Sequence, residues 1–200
     1  SPSILSSSWL KKINASDADI VHLHWIHSDM ISIKEIGLIN KKVVWTLHDM
    51  WAFTGGEHYA IDNDWRDGFI SKSDSGQNRG INRLLRNHKK KCWKKPITII
   101  APSNWMKDCA EHSKLMKDWP VQTIHNTIDS SLWKRVKKSE ARNFFKLDNR
   151  PTIIFGAVGG TSDPRKGYDL LVKILAEIKN LRPKGIPIPN EFFDKVNILE

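Results

Sequence analysis

"ADIVHLHWIHSDMISIKEIGLINKKVVWTL", residues 18 to 47, is the stretch that separates one fold class from the others. Its opening "ADIVHLHWI" and closing "KKVVWTL" are apolar cores short enough for buried strands. Between them "DMISIKEIGLI", 29 to 39, has the apolar period of a helix, with Asp29 near its start and Asn40 at its end. Strand, helix, strand in about 30 residues is the size of one βαβ unit.

The alternation continues outward. Ser6-Ser7-Ser8 precede a short helix through Trp9, Leu10 and Ile13. From Trp51 to Gly80 regularity fails and Asn, Asp, Gly and Ser dominate. A loop of that length in a compact domain is usually functional or mobile. "RGINRLLRNHKKKCWKK", 79 to 95, then reads as a helix with Ile81, Leu84, Leu85, His88 and Cys92 at helical spacing. "PITIIAPS", 96 to 103, is a strand, followed by a helix capped by Ser103 and carrying Trp105, Met106, Cys109 and Ala110. "VQTIHN", 121 to 126, is a further short strand, and a polar connection with a short helix comes next. "RPTIIFGAVGG", 150 to 160, reads as a strand leading through a loop into the helix "GYDLLVKILAEIKNL", and the chain ends in what reads as the start of another strand. This order predicts an α/β fold: a Rossmann-like, mainly parallel sheet with flanking helices.

In such sheets ligands collect at the carboxyl ends of strands, at switch points. That gives weight to "VVWTLHDMWAFTGGEHY", 43 to 59, where a buried strand runs abruptly into His48, Asp49, aromatic residues and Gly55-Gly56. His48 either caps the strand end or presents a working side chain there. Asp49 either orients His48 or caps the turn. Trp51 and Phe53 form either a ligand platform or core; Gly55 and Gly56 either admit a ligand close to the backbone or make a plain turn. His22, His24 and His27 invite a metal reading, because His22 and His24 share a strand face. Nothing nearby supplies a third ligand at a suitable spacing, so core or cleft-wall histidines are expected. "GGTSDPRKG", 159 to 167, is a glycine-rich loop between a strand and a helix, a place where backbone N–H groups and a helix N-terminus attract phosphate. Arg165 and Lys166 add positive charge to it.

Composition narrows the class. Nine tryptophans in 200 residues argue for a packed, aromatic core and against disorder. No apolar run reaches the roughly 18 residues of a membrane-spanning helix, and Ser1 to Leu5 lack the basic start and apolar centre of a secretory leader. Two cysteines, Cys92 and Cys109, do not make a disulfide framework, so a reducing cytoplasm is expected. The net charge of +10 predicts an anionic partner. Much of it lies in 79 to 95, which has no acid. That segment is either a solvated face or a basic amphipathic helix set against anionic lipid headgroups.

Five blocks, "DIVHLHWI", "VVWTLHDMWAFTGGEHY", "IIAPSNWMKDCAEHSKL", "TIHNTIDSSLWK" and "IIFGAVGGTSDPRKGYDLL", occur in the order found in family 4 (group 1) glycosyltransferases of the GT-B fold. The chain resembles most the colanic-acid and capsule-type branch, which shares the Trp-Thr-Leu-His-Asp-Met-Trp-Ala-Phe-Thr-Gly-Gly wording seen at 45 to 56. Two departures stand out: Glu57 occupies a position where that branch often has cysteine, and Gly160 one where many members have arginine.

The resemblance implies two Rossmann-like domains facing across a cleft. Residues 1–135 would be most of the acceptor-side domain without its first strands, 136–150 a connecting segment, and 151–200 the start of an incomplete nucleotide-sugar domain. The family's glycine-rich acceptor loop would then precede Ser1 and its Glu-x7-Glu pair would follow Glu200, so the chain alone is expected not to catalyse transfer. The implied activity is retaining transfer from a nucleotide-diphosphate sugar to a saccharide acceptor, lipid-linked by expectation, in surface polysaccharide synthesis. His48 and Asp49 would be catalytic, with His48 bonding a sugar hydroxyl or stabilising charge as the glycosidic bond breaks. Lys166, with Arg165 and Gly160, would meet the donor phosphates; Trp51, Gly55 and Gly56 would lie on the acceptor side. No metal or other cofactor and no nucleic acid partner are expected, and the setting would be cytoplasmic, peripheral on the inner membrane face through 79 to 95. The rival reading is a non-catalytic basic α/β module that grips an anionic polymer or membrane, with strongly salt-dependent binding.

Overall fold

The computed structural model of the chain describes residues 2–26, 30–60, 63–68, 79–148, 152–158 and 162–180. They belong to two compact units, Ser1–Ile128 and Asp129–Glu200.

The first unit runs α1 (Trp9–Ala15), β1 (Ile20–Leu23), α2 (Ile33–Gly37), β2 (Lys42–Thr46), α3 (Asp64–Asp67), α4 (Arg79–Cys92), β3 (Thr98–Ala101), α5 (Asn104–His112) and β4 (Val121–Thr123). The strands form one parallel sheet in the order β1-β2-β3-β4, with Leu23 beside Trp45, Trp45 beside Ile99 and Ile99 beside Val121. Their alternation is legible in β3, where Ile99 and Ala101 are fully buried. The strands stand in chain order, so the topological switch point expected of a doubly wound sheet does not fall among the described strands. What remains of that expectation is the shared carboxyl edge.

Helix α2 begins later than its sequence period suggests. Asp29 lies outside the described residues, and the cap is Ser32, whose hydroxyl accepts the Glu35 N–H while Glu35 accepts the Ser32 N–H at 2.9 Å. The same buried carboxylate accepts the Ser7 N–H at 2.8 Å and so ties the amino-terminal segment to α2. Burial alone would raise the Glu35 pKa; the hydrogen bonds from Ser32 and Ser7 outweigh it and hold the group below its ordinary value of 4.5. A depressed folded-state pKa stabilises above the unfolded value, and that contribution is lost as pH falls through the folded one. Glu35→Gln is therefore expected to cost about 2 kcal/mol at neutral pH, and the gap to wild type should shrink toward pH 3. Urea unfolding of both proteins at the two pH values measures it; an unchanged gap would contradict the assignment.

Helix α4 turns an unexpected face inward. Apolar spacing pointed to Ile81, Leu84, Leu85, His88 and Cys92, yet Ile81 and Leu84 are exposed. The buried stripe is Asn82, Leu85, Arg86, Lys89 and, just past the helix, Trp93. Two glycines let the helix come close to its neighbours. A Cβ on Gly55 would stand 2.3 Å from the Asn82 Cα, and one on Gly37 would stand 2.4 Å from the Cys92 carbonyl oxygen.

In the second unit the described elements are α6 (Lys138–Phe144), a 3-10 turn at Pro164–Lys166 and α7 (Tyr168–Asn180). Residues 152–157 are not a strand, contrary to the sequence reading. No described segment pairs with them in a ladder, and without a neighbour an apolar run gains no sheet hydrogen bonds. Phe155 instead meets Tyr168 at 5.4 Å between ring centroids. Among the described residues no helix is long and apolar enough to cross a membrane.

Candidate functional site

The carboxyl edge of the sheet is a row of histidines. His24 follows β1, His48 lies just beyond β2, and His125 follows β4; all three are exposed. His24 Nδ1 and His48 Nε2 are 3.0 Å apart, with the two rings stacked at 5.3 Å. His22, one strand step back, lies 4.2 Å from the His24 ring and shares a 2.8 Å hydrogen bond with the Thr46 hydroxyl. Lost solvation, then repulsion from His24 and His48, lowers its pKa. Trp45 donates its indole N–H to the His24 carbonyl at 3.2 Å, fixing the end of β1 against β2. His27 lies outside the described residues. Among the described residues no group of three histidine, cysteine or acidic side chains is placed to hold a metal ion.

Asp49 faces the other way. It is buried, accepts the Trp51 N–H at 2.9 Å and pairs with His58 Nδ1 at 2.7 Å. Of the two roles open to it in sequence, these contacts are those of a turn cap. The following segment is not a loose loop: Met50, Trp51, Ala52, Phe53 and Thr54 are all buried, and the Met50 N–H closes onto the His58 carbonyl at 2.8 Å. Trp51 is a core residue, packed at 6.1 Å from Trp45 and 6.3 Å from Trp93, and its ring offers no open platform. Gly55 meets α4 rather than an open cleft, and the Gly56 N–H donates to Asn82 Oδ1 at 3.0 Å. Asn82 in turn donates to Glu57 at 2.6 Å, which gives that departure from the family wording a structural task.

Lys89 holds this segment from below, and sequence reasoning missed it. The side chain is fully buried, with Nζ donating to the carbonyls of Trp51, Gly55 (2.6 Å) and Thr54 (3.3 Å). It also stands 3.9 Å from the Trp51 ring centroid. Burial pushes its pKa well down, and the Asp49 charge pushes back. An ammonium has three N–H donors for three carbonyls, so the site is built for the charged form. The only signal in sequence was a lysine in register with Asn82, Leu85 and Trp93.

In the second unit Arg165 is committed to Asp163. Its guanidinium grips both carboxylate oxygens, at 2.7 and 3.0 Å, and its backbone N–H adds a third bond. The Arg165 side-chain and then backbone bonds bring the Asp163 pKa down to about 2. Lys166 is exposed, and Gly167 closes the turn in the left-handed region at φ 74°. Gly160 lies outside the described residues. Asp169 sits in the first turn of α7, so the region presents carboxylates as well as cations.

A parallel Rossmann-like sheet with its polar groups gathered at the carboxyl edge defines an α/β domain of the kind found in GT-B transferases. Residues 3–132 match the model of Glycosyltransferase Family 4, and the chain belongs to that family. Curated proteins give no significant match to the chain.

Proposed function

We propose that the native gene product is a retaining glycosyltransferase of the hexosyltransferase type. It moves a sugar from a nucleotide-diphosphate donor to a saccharide acceptor, lipid-linked, in surface polysaccharide synthesis of the colanic-acid or capsular kind. The observation that carries this reading is the family 4 match over residues 3–132 together with an exposed histidine at the carboxyl end of β2. His48 would bond the donor sugar or stabilise charge as the bond to the nucleotide breaks. Lys166 would neutralise the departing diphosphate, with Arg165 reaching it only by leaving Asp163. No metal is assigned a part. Family membership favours this over a non-catalytic basic module.

The test is donor binding and transfer by the native gene product across a panel of nucleotide sugars. Lys166→Ala should weaken binding of the preferred donor about tenfold, the loss expected for one charge-assisted contact. If no nucleotide sugar binds, or Lys166→Ala binds as tightly as wild type, the donor assignment is wrong.

We further propose that α4 rests on the inner face of the membrane. Ile81 and Leu84 are exposed beside exposed Arg83, Lys90, Lys91, Lys94 and Lys95, which is the pairing of apolar and cationic groups an anionic lipid surface attracts. Co-sedimentation with anionic and with neutral vesicles distinguishes this from a merely solvated face.

A further inference from the structure

We propose that His24 is a positioning residue for His48, fixing the tautomer in which the outward nitrogen of His48, Nδ1, carries a hydrogen and donates to a ligand oxygen. The ligand half of this inference rests on the transferase reading; the geometry does not. His24 Nδ1 and His48 Nε2 face each other at 3.0 Å, so one ring must donate and the other accept.

Proton counting then restricts what His48 can offer. When the pair carries one positive charge, there are two arrangements. In the first, His24 is the imidazolium and donates to His48 Nε2, leaving neutral His48 with its hydrogen on Nδ1. In the second, His48 is the imidazolium and donates to His24 Nδ1, and Nδ1 of His48 again carries hydrogen. Both give a donor at the same atom. A doubly charged pair would set two N–H groups against each other and break the bond. A neutral pair in which His24 donates gives the same result as the first arrangement. Only a neutral pair in which His48 donates would leave its Nδ1 bare. Three of the four proton arrangements that keep the bond therefore place a hydrogen on His48 Nδ1.

A side chain fixed in this way is a hydrogen-bond donor and not a proton acceptor. It suits a sugar hydroxyl or a phosphate oxygen that gains negative charge, and it does not suit removal of a proton from an incoming hydroxyl. Two further contacts support the pair. The Trp45 indole holds the His24 carbonyl, and the Thr46 hydroxyl holds His22, on whose ring His24 leans.

The experiment is nitrogen NMR on the native gene product labelled with 15N-histidine, near neutral pH. Wild type should show hydrogen on His48 Nδ1 and a through-bond N–N coupling between His24 Nδ1 and His48 Nε2. His24→Phe keeps a ring to stack and removes the bond, so the coupling should vanish and His48 should become a tautomer mixture. Transfer should drop in kcat more than it rises in KM for His24→Phe. A bare Nδ1 on wild-type His48, or an unchanged tautomer in His24→Phe, overturns the proposal. If the NMR result holds and no sugar is transferred, the pairing stands and the transferase reading falls; if His48 proves essential for transfer with no coupling to His24, the reverse is true.

Discussion

Lys89→Met should remove a large fraction of the stability of the first unit, at a cost of about 3–5 kcal/mol. The methionine has nearly the right length and no donors, so the carbonyls of Trp51, Thr54 and Gly55 would lose their shared partner in a place water does not reach. Each unsatisfied buried carbonyl costs about 1–3 kcal/mol, not additively. The contact of the charge with the Trp51 ring is lost as well, about 1–2 kcal/mol for a buried pair. Against these losses stands the relief of desolvating an ammonium, which the depressed pKa records. The hydrogen bonds win because all three donors are used. With domains stable by about 5–15 kcal/mol, the loss is a large fraction of the whole. Its neighbour Lys90 is exposed, and Lys90→Gln should change stability by less than about 0.5 kcal/mol. Guanidinium unfolding of the two variants makes the comparison, and equal midpoints would remove Lys89 from the account of the fold.

His48→Ala should leave that midpoint within about 0.5 kcal/mol of wild type, because the ring is exposed and holds no backbone group. Transfer by the native gene product is expected to fall by about 10²–10⁴-fold, the range for losing one acid–base or charge-stabilising group. The loss should appear in kcat, because the interaction strengthens as the sugar–phosphate bond breaks. Asp49→Asn is the informative companion. Asp49 is buried and holds the Trp51 N–H and His58, so its substitution should lower stability as well as rate. A His48→Ala protein that transfers at the wild-type rate would move the chemistry elsewhere on the edge, with His125 the next histidine along it.

The strands of the first unit were legible because each apolar run has a neighbour to pair with, and the helix caps at Ser103 and the parallel class followed from the same reading. The run at 152–157 looked equally strand-like, but pairing is a property of two segments and no single run can announce its partner. Helix α4 was misread for a related reason. Periodicity ranks residues by their own polarity, and it placed Ile81 and Leu84 inside and passed over Lys89, whereas Lys89 is buried and the two apolar residues are exposed. The inward face is set instead by carbonyls and a glycine contributed from residues 51–55, some 35 positions earlier in the chain. At the site, His48 stood out as the polar end of an apolar strand. His24 also stood out, as a core or cleft-wall histidine, but its pairing with His48 was not legible, because the two belong to neighbouring strands whose register brings Leu23 beside Trp45.

Helix α4 is split along its length into two surfaces that answer to different demands. Asn82, Arg86 and Lys89 are bound into the fold by neighbours on other elements, and Gly37 and Gly55 admit no added carbon where the helix crosses them. Ile81, Leu84 and Lys90 are exposed on the other side. The outer residues can therefore change without loosening the fold, while the inner ones are locked to the turn that follows His48.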